Sequence, residues 1–88
     1  MYANVRGIRG KRISLNQILL ENSPHLFLVT ETQLKSDTGF LIQGYTFYSR
    51  RREGRDGGGV AILVRDDIKS NILVHLPQRN IEIICVSI

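Results

Sequence analysis

The apolar run Leu26-Phe27-Leu28-Val29 constrains this chain more than any other feature. Ser23-Pro24 closes it upstream and the polar Thr30-Glu31-Thr32 downstream. Apolar residues in a short, unbroken row suit a strand buried on both faces, with its carboxyl end open to solvent. Just before it, Ser14-Leu15-Asn16-Gln17 has capping-box spacing, with Ser14 at the N-cap and Gln17 three residues on. Leu15, Ile18, Leu19 and Asn22 follow helical spacing, and Pro24 cannot continue the helix. So short a helix needs a sheet to pack on. Met1-Tyr2-Ala3 is too short for a strand of its own, yet Asn4-Val5-Arg6-Gly7 reads as the exit from one. The unit is therefore strand–helix–strand with parallel strands, the first expected to lack its N-terminus.

The rest of the chain is strand-rich. A polar stretch over 33–39 leads to Phe40-Leu41-Ile42, and Gly44 precedes the aromatic strand Tyr45-Thr46-Phe47-Tyr48. A loop over 50–58 ends in glycines, and Val60-Ala61-Ile62-Leu63-Val64 is a second doubly buried strand. The two strands predict a hairpin with a long basic tip. A turn over 66–70, a strand over 72–76, a turn over 77–80 and a strand over 81–88 complete the α/β pattern. The last strand reaches Ile88 without turn, cap or polar tail, so the chain is expected to stop in mid-sheet.

A chain of 88 residues holds one domain, and one this small buries only roughly 60–65% of its unfolded surface. At 42% hydrophobic and 23% charged it has the composition of a folded protein. The net charge of +4 favours an anionic partner. It is clustered in Arg6, Arg9, Lys11 and Arg12, and again in Arg50, Arg51, Arg52 and Arg55. Each cluster reads either as a solvated face or as a nucleic-acid contact. Cys85 is the only cysteine, so one chain can form neither a disulfide framework nor a cysteine zinc site, as in a reducing compartment. There is no apolar stretch near the ~18 residues of a membrane span and no N-terminal apolar segment of a signal peptide.

Ligands of α/β sheets bind beyond the carboxyl ends of strands, and Glu31 stands at such an end. It reads as a surface glutamate or as a ligand to a hard cation such as Mg²⁺. Asn4, at the end of the first strand, comes beside Glu31 in this geometry, where its amide can hold the carboxylate or meet a phosphate oxygen. As a turn residue, asparagine is also unremarkable there. Gly57-Gly58-Gly59 lacks the Gly-Lys-Ser/Thr ending of a phosphate loop and reads as a hairpin turn. His25 and His75 read as structural, and Asp66-Asp67 as turn capping.

In order along the chain, Asn4-Val5-Arg6-Gly7-Ile8, Leu28-Val29-Thr30-Glu31-Thr32, the segment from Gly44 to Arg50, and Gly57 through Arg65 resemble the endonuclease/exonuclease/phosphatase family. The resemblance is greatest to the apurinic-type endonuclease domain of non-LTR retrotransposons and spans nearly the whole chain. It implies an α/β fold, a partial four-layer α/β sandwich contributing roughly one sheet with its helix. It implies DNA phosphodiester cleavage, with Glu31 holding Mg²⁺ or Mn²⁺ and Asn4 supporting the phosphate or nucleophile site. Residues 1–88 would be the N-terminal portion of that domain, truncated at the C-terminus and at the first strand. The family's tyrosine, Asp-x-Asn and terminal Asp-His motifs lie beyond it. The expectation is an inactive fragment that binds metal weakly or not at all and self-associates through an exposed sheet face. By the same resemblance its location is intracellular and nuclear, and no membrane partner is expected. The competing expectations are a non-catalytic nucleic-acid-binding remnant, or a structural fragment with no function of its own.

Overall fold

The computed structural model describes residues 1–34, 40–50, 57–72 and 86–87. The elements run in the order β1 (Tyr2–Asn4), a 3-10 turn (Arg9–Lys11), α1 (Arg12–Asn22), β2 (Leu26–Thr30), β3 (Tyr45–Arg50), β4 (Val60–Arg65), β5 (Asn71–Ile72) and β6 (Val86–Ser87). The first four strands form one sheet in the order β1-β2-β4-β3, and β5 and β6 form a second, two-stranded sheet. β1 and β2 are parallel, and β4 is antiparallel to both of its neighbours, β2 and β3. The chain is thus a mixed α/β fold, consistent with part of an α/β sandwich.

A first strand is present and ends at Asn4, where its exit was expected. Three residues suffice because the parallel register Tyr2↔Leu28, Ala3↔Val29, Asn4↔Thr30 pairs each of them with β2. The hairpin expectation holds, with β3 and β4 paired from Tyr45↔Arg65 to Arg50↔Val60. Its tip, residues 51–56, lies outside the described residues, as do most of the strand expected over 72–76, the turn over 77–80 and residues 81–85 and 88.

Two local expectations are corrected. Ser14 is not the N-cap: the helix begins two residues earlier, and Lys11 occupies the cap position without a side-chain cap bond. Packing rather than a hydroxyl fixes this start. Ile8, fully buried, accepts at its carbonyl from Lys11 N at 3.0 Å, and Lys11 Nζ donates to Val5 O at 2.7 Å. The helix stripe is also narrower than its spacing implied. Leu15 and Leu19 are buried, whereas Ile18 is 39% exposed and Asn22 turns back to bond the Ile18 carbonyl at 2.9 Å. The stop is as expected: Ser23, in the left-handed region at φ 42°, closes the last turn onto Leu19 O at 2.8 Å before Pro24.

β2 is buried on one face only. Phe27 and Val29 join Leu15, Leu19, Val5, Ile8, Ala61 and Leu63 in the core, while Leu28 is 45% exposed. Among the described residues α1 packs on one face of the sheet; Leu28, Ile62 and Tyr48 share a row on the other, where Val64 is nonetheless fully buried. The central strand β4 comes closest to double burial, with Ala61, Leu63 and Val64 buried and Val60 and Ile62 half-buried. Among the described residues no helix is long and apolar enough to cross a membrane.

Candidate functional site

Parallel pairing brings the ends of β1 and β2 to the same level, so the segments that follow them leave the sheet side by side. Asn4 Nδ2 donates to Glu31 Oε2 across this end. Asn4 is exposed and Glu31 half-buried. The other carboxylate oxygen, Oε1, has no hydrogen-bond partner among the described residues. Strand–helix–strand geometry read from sequence thus brings these two side chains together.

The backbone around Glu31 is unusual. Glu31 and Gln33 both adopt φ 55°, and Arg6, across from them, φ 47°. Left-handed conformations cost L-residues on the order of 1–3 kcal/mol each and persist only where surrounding contacts impose them. Those contacts come from both sides. From the β1–α1 connection, Val5 N donates to Thr30 O at 3.1 Å, Gly7 N to Glu31 O at 2.8 Å and Ile8 N to Thr32 O at 2.9 Å. From the glycine stretch before β4, the carbonyls of Gly58 and Gly59 accept from Gln33 N at 2.7 Å and Thr32 N at 3.3 Å. The turn that carries Glu31 is therefore clamped between two other segments. Gly7, at φ 105°, is one place where the clamp needs glycine: a Cβ there would lie 3.3 Å from Gln33 Oε1. Glycines 57–59 lie between β3 and β4, as the hairpin reading has them, and Gly58 and Gly59 also prop the Glu31 turn, which that reading does not include. The available signal was the run itself, since consecutive glycines permit a close backbone approach.

The basic residues divide into groups. Arg6 and Arg9 are exposed on the connection that bonds the Glu31 turn. Lys11 is spent on the Val5 carbonyl. Arg12 donates to Leu41 O at 2.6 Å and lies over the Phe40 ring at 4.3 Å. Arg50 ends the cross-strand row Asn4–Thr30–Val60–Arg50, on the same sheet end as Glu31 and about 14 Å from Asn4 by strand spacing. Arg51, Arg52 and Arg55 lie outside the described residues, with His75 and Cys85. His25 is exposed, and its carbonyl accepts from Arg65 N at 3.0 Å, a structural bond at the far end of the sheet. Asp66 and Asp67 bond Thr46 and Arg65, in keeping with a turn.

One carboxylate, oriented by an amide and open at one oxygen, is a donor set that suits a hard divalent ion completed by waters and phosphate oxygens. No group of three or more His, Cys, Asp or Glu capable of holding a metal occurs among the described residues. The set therefore fits a site that takes most of its ligands from solvent and substrate. It does not fit a closed protein cage.

With this fold and this strand-end carboxylate, the chain belongs to the endonuclease/exonuclease/phosphatase family, which it matches over residues 1–88. Membership points to a hydrolase of the nuclease or phosphatase type. No curated protein matches the chain, and no solved structure does.

Proposed function

We propose that this chain carries the metal-holding part of a DNA endonuclease site of the retrotransposon type. The observation that carries the reading is the Asn4–Glu31 hydrogen bond across the paired ends of β1 and β2. Glu31 would be the protein ligand to Mg²⁺ or Mn²⁺, with Oε1 turned to the ion and Oε2 held by Asn4. When bound, such an ion neutralises charge on a phosphodiester undergoing attack. Asn4 fixes the carboxylate rotamer, as partners of metal ligands commonly do. Arg6, Arg9 and Arg50 lie at the same end of the sheet and would pair with backbone phosphates.

Hydrolysis also requires a base to activate water and an acid for the leaving oxygen. Glu31 and Asn4 supply neither once they are committed to the ion. We therefore expect little or no cleavage from this chain by itself. DNA as partner, a nuclear location, and self-association through the sheet face bearing Leu28 and Tyr2 belong to the same proposal.

A plasmid-nicking assay with Mg²⁺, run beside Mn²⁺ titration of the wild type and Glu31→Ala, tests the reading. We expect weak divalent-ion binding that Glu31→Ala abolishes, and any nicking to disappear with it. Equal ion binding by both proteins would overturn it. The exposure of Arg6 and Arg9 favours one alternative, a non-catalytic nucleic-acid-binding remnant. That reading requires DNA binding that falls steeply with salt and is indifferent to Glu31→Ala.

A further inference from the structure

We propose that Thr32 and Gly59 are the positioning pair of this site: the Thr32 hydroxyl, seated against the bare Cα of Gly59, sets the left-handed turn at Glu31 and so keeps the Glu31 carboxylate on Asn4. The inference deepens the reading above and rests on it for its consequence for activity.

Thr32 is the only polar residue among the buried ones described, at 1% exposure. Its hydroxyl is not buried for the sake of a strong bond. Its one hydrogen bond among the described residues is long, 3.5 Å from Leu34 N. What the hydroxyl does is occupy the space where a side chain at position 59 would begin. A Cβ on Gly59 would stand 2.4 Å from Thr32 Oγ1, with Arg50 O at 3.5 Å and Gln33 N at 3.6 Å. That is short of ordinary contact by about 1 Å. The Thr32 main chain cannot retreat alone, because its N–H bonds Gly59 O and its carbonyl accepts from Ile8 N. A push on Thr32 is thus delivered to its chain neighbour, Glu31, whose own carbonyl is tied to Gly7 N. A misplacement of about 1 Å at a reacting centre costs on the order of 100-fold in rate.

The molecule contains its own control. Gly44 has nearly the same backbone demand, φ 86° against 91° for Gly59, but a Cβ on Gly44 would meet nothing within 4 Å. Gly44 also lies by Tyr45, at the other end of the sheet. Alanine at either position carries the positive-φ penalty; only alanine at 59 strikes the Glu31 turn.

The test follows the Asn4 side-chain NH₂ signal in ¹⁵N-labelled protein, with Glu31→Ala defining its position when the carboxylate is gone, and Mn²⁺ affinity measured on each variant. Gly59→Ala should move the Asn4 signal toward its Glu31→Ala position and weaken Mn²⁺ binding at least about tenfold, by analogy with the loss of a ligand's supporting partner. Gly44→Ala should lower Tm and leave both readings unchanged. Thr32→Ala/Gly59→Ala removes the collision but not the φ penalty. It should return the Asn4 signal to its wild-type position, the methyl introduced at position 59 filling the space that the Thr32 hydroxyl leaves, while Tm stays low. The pair is overturned if Gly59→Ala leaves the Asn4 signal in place, if Gly44→Ala moves it equally, or if the double variant does not restore it. Should Gly59→Ala not fold, Thr32→Ala reads the same contact from its other side: it must displace the Asn4 signal, and an unmoved signal overturns the pair. Two outcomes separate this inference from the metal reading. If Glu31→Ala leaves Mn²⁺ binding intact while the Asn4 signal follows the pattern above, the metal reading fails and the positioning pair stands. If Glu31→Ala abolishes Mn²⁺ binding but Gly59→Ala leaves the Asn4 signal alone, the reverse holds.

Discussion

The two ends of the four-stranded sheet place charged groups in opposite ways. At the end where β2 begins and β4 finishes, the charged and phenolic side chains of Arg65, Asp67 and Tyr45 are bonded to protein groups. Arg65 donates to Asp67 at 2.6 and 3.0 Å and to Ser23 O at 2.8 Å, and Tyr45 OH donates to Pro24 O at 2.6 Å. At the end where β1 and β2 finish, the bonds are mainly backbone to backbone, and the charged group they surround keeps one carboxylate oxygen without a partner among the described residues. A cavity of about 440 Å³ does exist at the first end, lined by Leu19, Leu20, Tyr45 and Arg65 among others. Of its polar lining, Tyr45 and Arg65 are already bonded to protein groups. Among the described residues, then, an unbonded carboxylate oxygen on a fixed backbone distinguishes the candidate site, whereas the charged groups at the other end are bonded to protein.

The largest effect should come from the core that both ends share. Phe27, 1% exposed, lies on the α1 face of β2 beside Leu63. Phe27→Ala should cost about 3–5 kcal/mol, a large part of the roughly 4–13 kcal/mol available to a domain of this size. Thermal melting monitored by amide signals at Asn4 and Tyr45 should show both ends lost in one transition. Survival of either end would show that they are separate cooperative units. The second effect breaks the comparison at one end only. Asn4→Ala should weaken Mn²⁺ binding roughly 10–100-fold, as removal of a ligand's supporting partner does. Because Asn4 is exposed and outside the core, Tm should hardly move. A large fall in Tm with Mn²⁺ affinity unchanged would make Asn4 a structural residue like those at the Arg65 end.

Much of this contrast was legible in the sequence, and the illegible parts have a common cause. The juxtaposition of Asn4 and Glu31 follows from strand–helix–strand order alone, because a right-handed parallel crossover leaves both strand ends on one edge. The Tyr45–Val64 hairpin follows from two apolar runs around glycines. Burial of β2 on both faces was misread because an unbroken apolar run carries no record of which face a neighbouring layer covers. The helix start was misread because Ser14 fits a local rule, while burial of Ile8 and the Lys11–Val5 bond are tertiary facts. The left-handed turn at Glu31 leaves no mark at all in the sequence, since glutamate does not favour φ 55°. Only the glycines across from it hint that something there approaches closely.

Two smaller effects sharpen the other side of the comparison. Tyr45→Phe deletes the bond to Pro24 O and should cost about 1 kcal/mol, read as a lower Tm with Mn²⁺ affinity unchanged. Burial, its largest influence, pushes the Tyr45 phenol above its ordinary value of 10.0. A group raised on folding contributes stability below its unfolded value and loses it as pH rises through the folded one. The wild type should therefore melt above Tyr45→Phe from neutral pH up to about pH 10, and the difference should fade as pH rises beyond that.

Asp67 should give the smallest effect, and in the opposite pH direction. Its hydrogen bond from Arg65 holds the carboxyl below its ordinary value of 3.8. A carboxyl depressed on folding contributes stability above its unfolded value and loses it as pH falls through the folded one. Asp67→Asn should thus match the wild type at low pH and melt slightly below it from about pH 4 upward. The difference should shrink in 1 M salt, because the pair is exposed and screened. It should stay small even at low salt, since Arg65 Nη1 keeps its bond to Ser23 O when the aspartate charge is gone. If Asp67→Asn also changed Mn²⁺ affinity, the two ends of the sheet would be energetically coupled, and the division between a finished end and an open one would fail.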